Sequence, residues 1–220
     1  MSTDFDQLVY DLAPRKFSWK GNLWVAILVV IILVGSYSYV QQVRQGLVIT
    51  DMRDYALWGV YISNFVFFVA ISLVGSLITA ILRLSGIKWS TPLTRIAEII
   101  AVAAIIMAGV TIIIDMGRPD RMLNLFMHGR LQSPIIWDVI VITTYLVISV
   151  LLLYYPLLPD FSILKRHAPE SARVRKWYSG LSLNWVGNSE QRRIYSRSIK
   201  ALSILIIPVA FAIHTVTAWL

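Results

Sequence analysis

The sequence predicts an all-α integral membrane protein, a bundle of about five transmembrane helices with its N-terminus in the cytoplasm. Three observations carry this expectation. Hydrophobic residues make up 57% of the 220 positions and charged residues 15%, with a mean hydropathy of +0.69, which is more apolar surface than one soluble core can hide. The apolar residues are gathered into runs near the ~20 residues that a helix needs to cross ~30 Å of hydrocarbon. The cations gather between those runs, mostly on one side.

Residues 1–21 read as a cytoplasmic tail. Asp4, Asp6 and Asp11 precede the first cations, Arg15 and Lys16, whereas a secretory leader opens positive, so the tail is expected to be retained. Segment 22–40, apolar from Leu23 to Val40, then serves as an uncleaved anchor helix. Residues 56–220 are expected to form a four-helix bundle, with spans Ala56 to Leu82, Ile96 to Ile114, Val139 to Leu158 and Ala201 to Leu220. Small residues recur at Gly75 and Thr79 and at Ala97 and Ala101, a spacing that lets two membrane helices approach closely. Together the segments form a single membrane domain.

Of the 20 Lys and Arg, fifteen lie in the tail, around Lys88 and in the Asp160 to Lys200 stretch, and five lie on the opposite side. The positive-inside rule places the richer side, including a loop over 159–199, in the cytoplasm. The connection from Asp115 to Asp138 then faces outward. The formal charge of +8 is accounted for by these loops and the anionic lipid headgroups beside them, so the bilayer and not nucleic acid is the expected polyanionic partner.

The absence of cysteine excludes iron–sulfur ligation, thiolate metal sites, covalently attached haem and disulfides in this chain. His214 is the only histidine inside a predicted span, whereas a membrane-embedded haem b of the usual anchor type takes paired axial histidines. No haem and no metal site are therefore expected, and any redox centre must belong to another subunit.

The ionisable residues that remain in or beside the spans are costly to keep there, so they mark candidate function. At ~1.5 Å per residue, Tyr61 and Asn64 lie ~8 to 12 Å below the outer start of the second span and His214 ~9 Å from the outer end of the fifth. Asp115 closes the third span and Asp138 opens the fourth, while Arg118, His128 and Arg130 come from the outer connection. This polar layer suits a quinone headgroup, whose oxygens take hydrogen bonds and whose redox chemistry moves two protons with two electrons; a histidine with a carboxylate is suited to that proton transfer. Each residue also has a plainer reading. Asp138 suits a helix N-terminus and Arg118 with Asp120 an interfacial pair. Trp58, Tyr61 and Trp137 suit the aromatic belt, although an aromatic wall is equally what a flat headgroup would stack against. Glu98, near the inner end of the third span, either starts a proton path with Tyr145, Thr143 or Ser149 or snorkels to the interface.

Several motifs, in order, resemble one family. They are the run from Trp58 to Phe68, Gly117-Arg118-Pro119, the run from Ser133 to Asp138, Ile213-His214-Thr215, and the run from Arg175 to Trp185 on the inward side. Together they resemble membrane subunits of the polysulfide reductase and NrfD type, and most closely the core quinol subunit of alternative complex III. The resemblance covers about Gly46 to Leu220. It implies a helical subunit without a redox cofactor of its own, which binds quinone or quinol near the outer surface and exchanges electrons with a ferredoxin-like iron–sulfur subunit docked there, among other membrane subunits. On that resemblance Asp138 and His214 match polar positions lining the quinol pocket. Two positions depart from it: Leu73, and Asp115 before the Gly-Arg pair, stand where relatives tend to carry histidine. The family also continues into further helices beyond the point at which this chain ends, at Trp219-Leu220.

The expected function is that of a quinone-reactive subunit of a respiratory oxidoreductase in a prokaryotic cytoplasmic membrane. Asp138 and His214 are the expected catalytic pair, and Tyr61, Asn64, Asp115, Arg118, His128, Arg130 and Trp58 the quinone-binding set; Glu98 and Tyr145 belong to a proton path that contributes to translocation. A transporter or ion-conducting module would need buried charge along the whole membrane, and a structural anchor would use the outer charges only as a docking rim.

Overall fold

The computed structural model describes residues 18–50, 52, 59–167 and 173–218; most of the tail, Trp58, Trp219 and Leu220 lie outside the described residues. Every regular element among the described residues is helical, and five helices are long and apolar enough to cross a membrane. The chain divides into two compact units, Met1–Tyr55 and Ala56–Leu220.

The first unit holds α1 (Trp19–Gln45), which covers the expected anchor segment. Its apolar side chains, such as Ile31, Ile32 and Leu33, are exposed, as in a helix whose solvent is hydrocarbon. Gly46 ends it in the left-handed region at φ 81°, with its N–H bonded to the Gln42 carbonyl at 2.8 Å.

The second unit comprises α2 (Val60–Leu84), α3 (Thr91–Asp115), the short α4 (Met122–Met127), α5 (Pro134–His167), α6 (Arg173–Leu181) and α7 (Ser189–Thr217). Helices α2, α3, α5 and α7 form the expected four-helix bundle. Helix α2 packs on α3 and α7, and α5 packs on the same two, so the four close into a ring. Phe65, Ile105, Tyr145, Leu152, Ile206 and Ile213 fill its centre. The helices outrun the apolar segments that announced them, because hydropathy marks only the part that lies in hydrocarbon. The stretch 159–199, expected as a loop, is accordingly mostly helical: it contains the last turns of α5, all of α6 and the first turns of α7. Asn188 caps α7 by accepting from the Gln191 N–H at 2.7 Å, and the Gln191 side-chain oxygen accepts from the N–H groups of Val186 and Gly187 at 3.0 and 2.9 Å.

The small-residue spacing locates the tightest helix crossing. A Cβ added at Gly75 would stand 2.9 Å from the Ala97 carbonyl oxygen and 3.2 Å from the Ala101 Cβ, so only glycine lets α2 approach α3 this closely. The approach brings hydroxyls within reach of the neighbouring backbone: Ser72 donates to the Ala101 carbonyl at 2.7 Å and Thr79 to the Thr94 carbonyl at 3.3 Å. Tyr145 of α5 enters the same layer, fully buried, with its hydroxyl 2.5 Å from the Ser76 hydroxyl and donating to the Ser72 carbonyl at 2.9 Å.

One buried ion pair ties three of the helices at the bundle end away from the Asp115 to Asp138 connection. Glu98 does not snorkel; it is 3% exposed and meets the Arg83 guanidinium at 2.7 Å. Arg83 also donates to the Leu152 carbonyl of α5 at 3.5 Å. That carbonyl is available because residue 156, four positions on, is proline and has no N–H to offer it. Nearby, Arg95 of α3 pairs with Asp160 of α5 at 2.5 Å.

A methyl group at Gly75 should therefore lower stability, and one at Gly109, where nothing lies within 4 Å, should not. We expect Gly75→Ala to destabilise by about 1–3 kcal/mol and Gly109→Ala to stay near wild type, as read by thermal unfolding in detergent. Equal midpoints for the two variants would show that the crossing tolerates a side chain.

Candidate functional site

At the other end of the bundle, the connection between α3 and α5 roofs a cavity of about 920 Å³. The local sequence explains the shape of the roof. Gly117 adopts φ 63°, which turns the chain off α3 at Met116 without the strain that a Cβ would bring. Pro119–Arg121 form a 3-10 turn leading into α4. Pro134 starts α5, where the missing N–H is no loss, and the Trp137 indole donates to the Leu131 carbonyl at 2.7 Å, fixing the roof to the first turn of that helix.

The wall is largely apolar, with Ile62 and Phe65 from α2, Ile112 from α3, Leu125 and Phe126 from α4, and Ile136 from α5. Set into it are the two carboxylates expected from the sequence. Asp138 is 3% exposed and accepts a hydrogen bond from the Thr217 hydroxyl at 2.9 Å, so this carboxylate bridges α5 to the last turn of α7 and does not serve as a cap for its own helix. Asp115 also lines the cavity, and its Oδ1 is buried without a hydrogen-bond partner. His128 and Arg130 enter from the roof, each largely exposed.

The structure thus brings together Asp115, His128, Arg130 and Asp138. The other expected members stand elsewhere. Tyr61 is half-buried and Asn64 exposed on α2, and neither lines the cavity. Arg118 forms an exposed pair with Asp120 at 3.4 Å, which is the plain interfacial reading of those two residues. His214 is exposed on α7, whereas its neighbour Ile213 and Thr217 face the bundle. Trp58 lies outside the described residues. Trp137 is exposed and its indole is used to hold the roof. Glu98 and Tyr145 belong to the buried layers described above and do not line this cavity.

Three polar lining residues carry no site expectation from the sequence: Arg121, Asn124 and Thr217. Arg121 and Asn124 belong to the 3-10 turn and to α4 in the roof. Thr217 could have been found only by asking which residue on the last span stands opposite Asp138. Chemically, the arrangement offers a largely apolar cavity, two carboxylates able to accept protons, and a histidine and an arginine able to donate hydrogen bonds. Among the described residues, no group of three His, Asp or Glu converges as a metal site.

The sequence profile of the family described as polysulphide reductase, NrfD matches residues 48–220. A protein of Halobacterium salinarum named as a membrane subunit of dimethyl sulfoxide reductase is 29% identical over 206 residues, covering 93% of this chain and 44% of that protein. A subunit of the selenate reductase of Mesobacillus selenatarsenatis is 22% identical, covering 88% of this chain and 46% of that protein. The Hdr-like menaquinol oxidoreductase integral membrane subunit of Archaeoglobus fulgidus is 25% identical, covering 73% and 38% respectively. The chain spans less than half the length of these relatives.

Removal of the Thr217 hydroxyl should leave the buried Asp138 carboxylate without its bond. Thr217→Val is expected to destabilise the protein by about 1–3 kcal/mol, and the effect should shrink when Asp138 is already leucine. A double-mutant cycle from thermal unfolding checks this, and strictly additive effects would show that the two side chains are not coupled.

Proposed function

The chain belongs to the polysulphide reductase, NrfD family, and from that premise we propose that it is the quinone-binding membrane subunit of a respiratory oxidoreductase in a prokaryotic cytoplasmic membrane. The observation that carries the reading is the cavity under the Asp115 to Asp138 connection, an apolar slot with two carboxylates, one of them bearing an unpartnered buried oxygen. An oxygen-bearing ring on an apolar tail fits such a wall: the ring takes hydrogen bonds from or to the polar groups, and the tail lies along the apolar ones. The names of the relatives support the class, because each is a subunit of a reductase or oxidoreductase and one is named for menaquinol.

A bound quinol would supply the two electrons and two protons of the reaction. Asp138 is placed to accept one proton while Thr217 holds the carboxylate in position, and Asp115, with an oxygen free of other bonds, is placed to accept the other. Arg130 and His128 donate hydrogen bonds from the roof and close the slot towards water. His214, Tyr61, Asn64, Arg118 and Trp58 are second-rank members, since the first four are not among the residues lining this cavity and Trp58 lies outside the described residues. The electrons pass to an iron–sulfur subunit docked on the roof, which faces outward by the distribution of cations. On this reading the core quinol subunit of alternative complex III is an analogue of the chain. The buried Tyr145 with Ser72 and Ser76, followed by Glu98 with Arg83, supplies polar stations for protons between the two ends of the bundle.

Two measurements test this proposal. Asp138→Asn should lower quinol turnover of the assembled complex by roughly 10²-fold or more, the range expected of a general base, with His214→Leu lower by a smaller factor; unchanged turnover in both variants of an intact complex would remove the site assignment. The chain has no cysteine, so single introduced thiols report topology directly. Leu131→Cys, in the roof, should react with a membrane-impermeant maleimide from the outer side, and Glu190→Cys only after permeabilisation; the opposite pattern would place the roof in the cytoplasm.

A further inference from the structure

A second cleft, of about 770 Å³, opens at the bundle end opposite the quinone cavity, between the C-terminal end of α2, the start of α3 and the early turns of α7. Its lining includes Arg83, Arg95 and Lys200 and no carboxylate. The carboxylates of Glu98 and Asp160 are engaged with Arg83 and Arg95, which leaves the charge of Lys200 without an ion-pair partner among the described residues. Helix α3 begins at the cleft; Ser90 makes no side-chain cap there, and the first turn contains no acidic residue. The positive end of a 25-residue helix thus meets the charge of Lys200 with no protein anion between them.

Two buried groups show that the polar equipment of this cleft is incomplete. Ser203, at its floor, is 0% exposed, and its hydroxyl has no hydrogen-bond partner. The Nε of Arg95 is likewise buried without a partner. Tyr195 and Thr94 add hydroxyls to the wall, while Leu82, Ile87 and Ile199 make one side apolar. A ligand that fits is anionic, carries further oxygens able to accept or donate hydrogen bonds, and has an apolar portion.

The depth points to its source. Lys200 and Thr217 lie ~26 Å apart along α7 at ~1.5 Å per residue, so with Thr217 near one face of the bilayer the cleft stands at the headgroup level of the other. Trp89, 76% exposed beside the start of α3, is the type of residue that anchors at that level. We propose that this cleft binds the headgroup of an anionic phospholipid, with its phosphodiester between Lys200 and the α3 N-terminus, its glycerol oxygens on the Ser203 and Thr94 side, and one acyl chain leaving over Leu82, Ile87 and Ile199. This assignment is independent of what occupies the cavity at the other end.

The test is a lipid titration of the full chain in its complex, released in detergent and followed by native mass spectrometry, with phosphatidylglycerol against phosphatidylcholine. Phosphatidylglycerol should be retained preferentially. Lys200→Gln should weaken that retention about five-fold, the effect of one cation near a lipid phosphate, while Arg193→Gln, an exposed cation of α7 outside the cleft lining, should not. Equal losses in the two variants, or none in either, would overturn the site in favour of diffuse surface charge. Full displacement of phosphatidylglycerol by inorganic phosphate would show a free-anion site and overturn the lipid assignment.

Discussion

The bundle is organised by a charge held largely inside it, with the Arg83 side chain only 14% exposed. Arg83 emerges from α2 where its guanidinium is enclosed by three other helices, and in so poor a solvent for ions an unpaired charge costs several kcal/mol. Glu98 of α3 balances the charge, and the carbonyl released by Pro156 of α5 takes a further donor. The pair thereby fixes the rotation of α2 against α3 and the height of both against α5. The ring closes through α7, which rests on α2 and α5. Every buried layer towards the opposite end inherits this register: the Gly75 crossing, the Tyr145 hydroxyl among the serines of α2, and finally Asp138 opposite Thr217.

Seen along its axis, the bundle is polar at both ends and nearly sealed in the middle. Ile105, Leu152 and Ile206 fill the centre without exposure, and Tyr145 is the principal hydrogen-bonding residue there. The two ends differ in character. One presents carboxylates inside an apolar cavity, and the other presents cations beside the start of α3. Such asymmetry suits a subunit with an uncharged redox partner in one leaflet and headgroups in the other. Outside the ring, the helices expose apolar side chains such as Phe67, Val74, Ile106 and Phe211, surface that lipid or a neighbouring subunit must cover.

The fold was legible in the sequence because length and hydropathy are strong signals in a bilayer, and five apolar runs became five helices. The Gly75 and Ala101 contact was legible for the same reason, since close helix crossings require small residues whatever their neighbours. The site was legible in depth but not in direction. Counting ~1.5 Å per residue put Tyr61, Asn64, Asp138 and His214 at similar heights, yet helices that are apolar on all sides carry little information about which face looks inward. Asp138 thus stands in the wall, whereas His214, one residue beyond the buried Ile213, faces away. Thr217 escaped notice because threonine is unremarkable at a helix end until its partner is known. Glu98 is unusual in the sequence, but only the structure joins it to Arg83, whose further acceptor is the Leu152 carbonyl of a third helix.

The separation of Asp138 and Thr217 along the chain bears on biogenesis. Synthesis delivers α2 and α3 in succession, so Arg83 meets Glu98 as soon as that hairpin has entered the bilayer, and the first buried charges are neutralised locally. Asp138 enters with α5 and must wait while α6 and most of α7 are made, because its bonding partner stands 79 residues later, in the last turn of α7. Until then a carboxylate lies at the membrane boundary without the bond that later holds it. The ribosome must therefore carry synthesis through the whole of α7 before this acid has its mature surroundings, and a nascent bundle arrested before α7 would lack both pairs that this helix makes, with α2 and with α5.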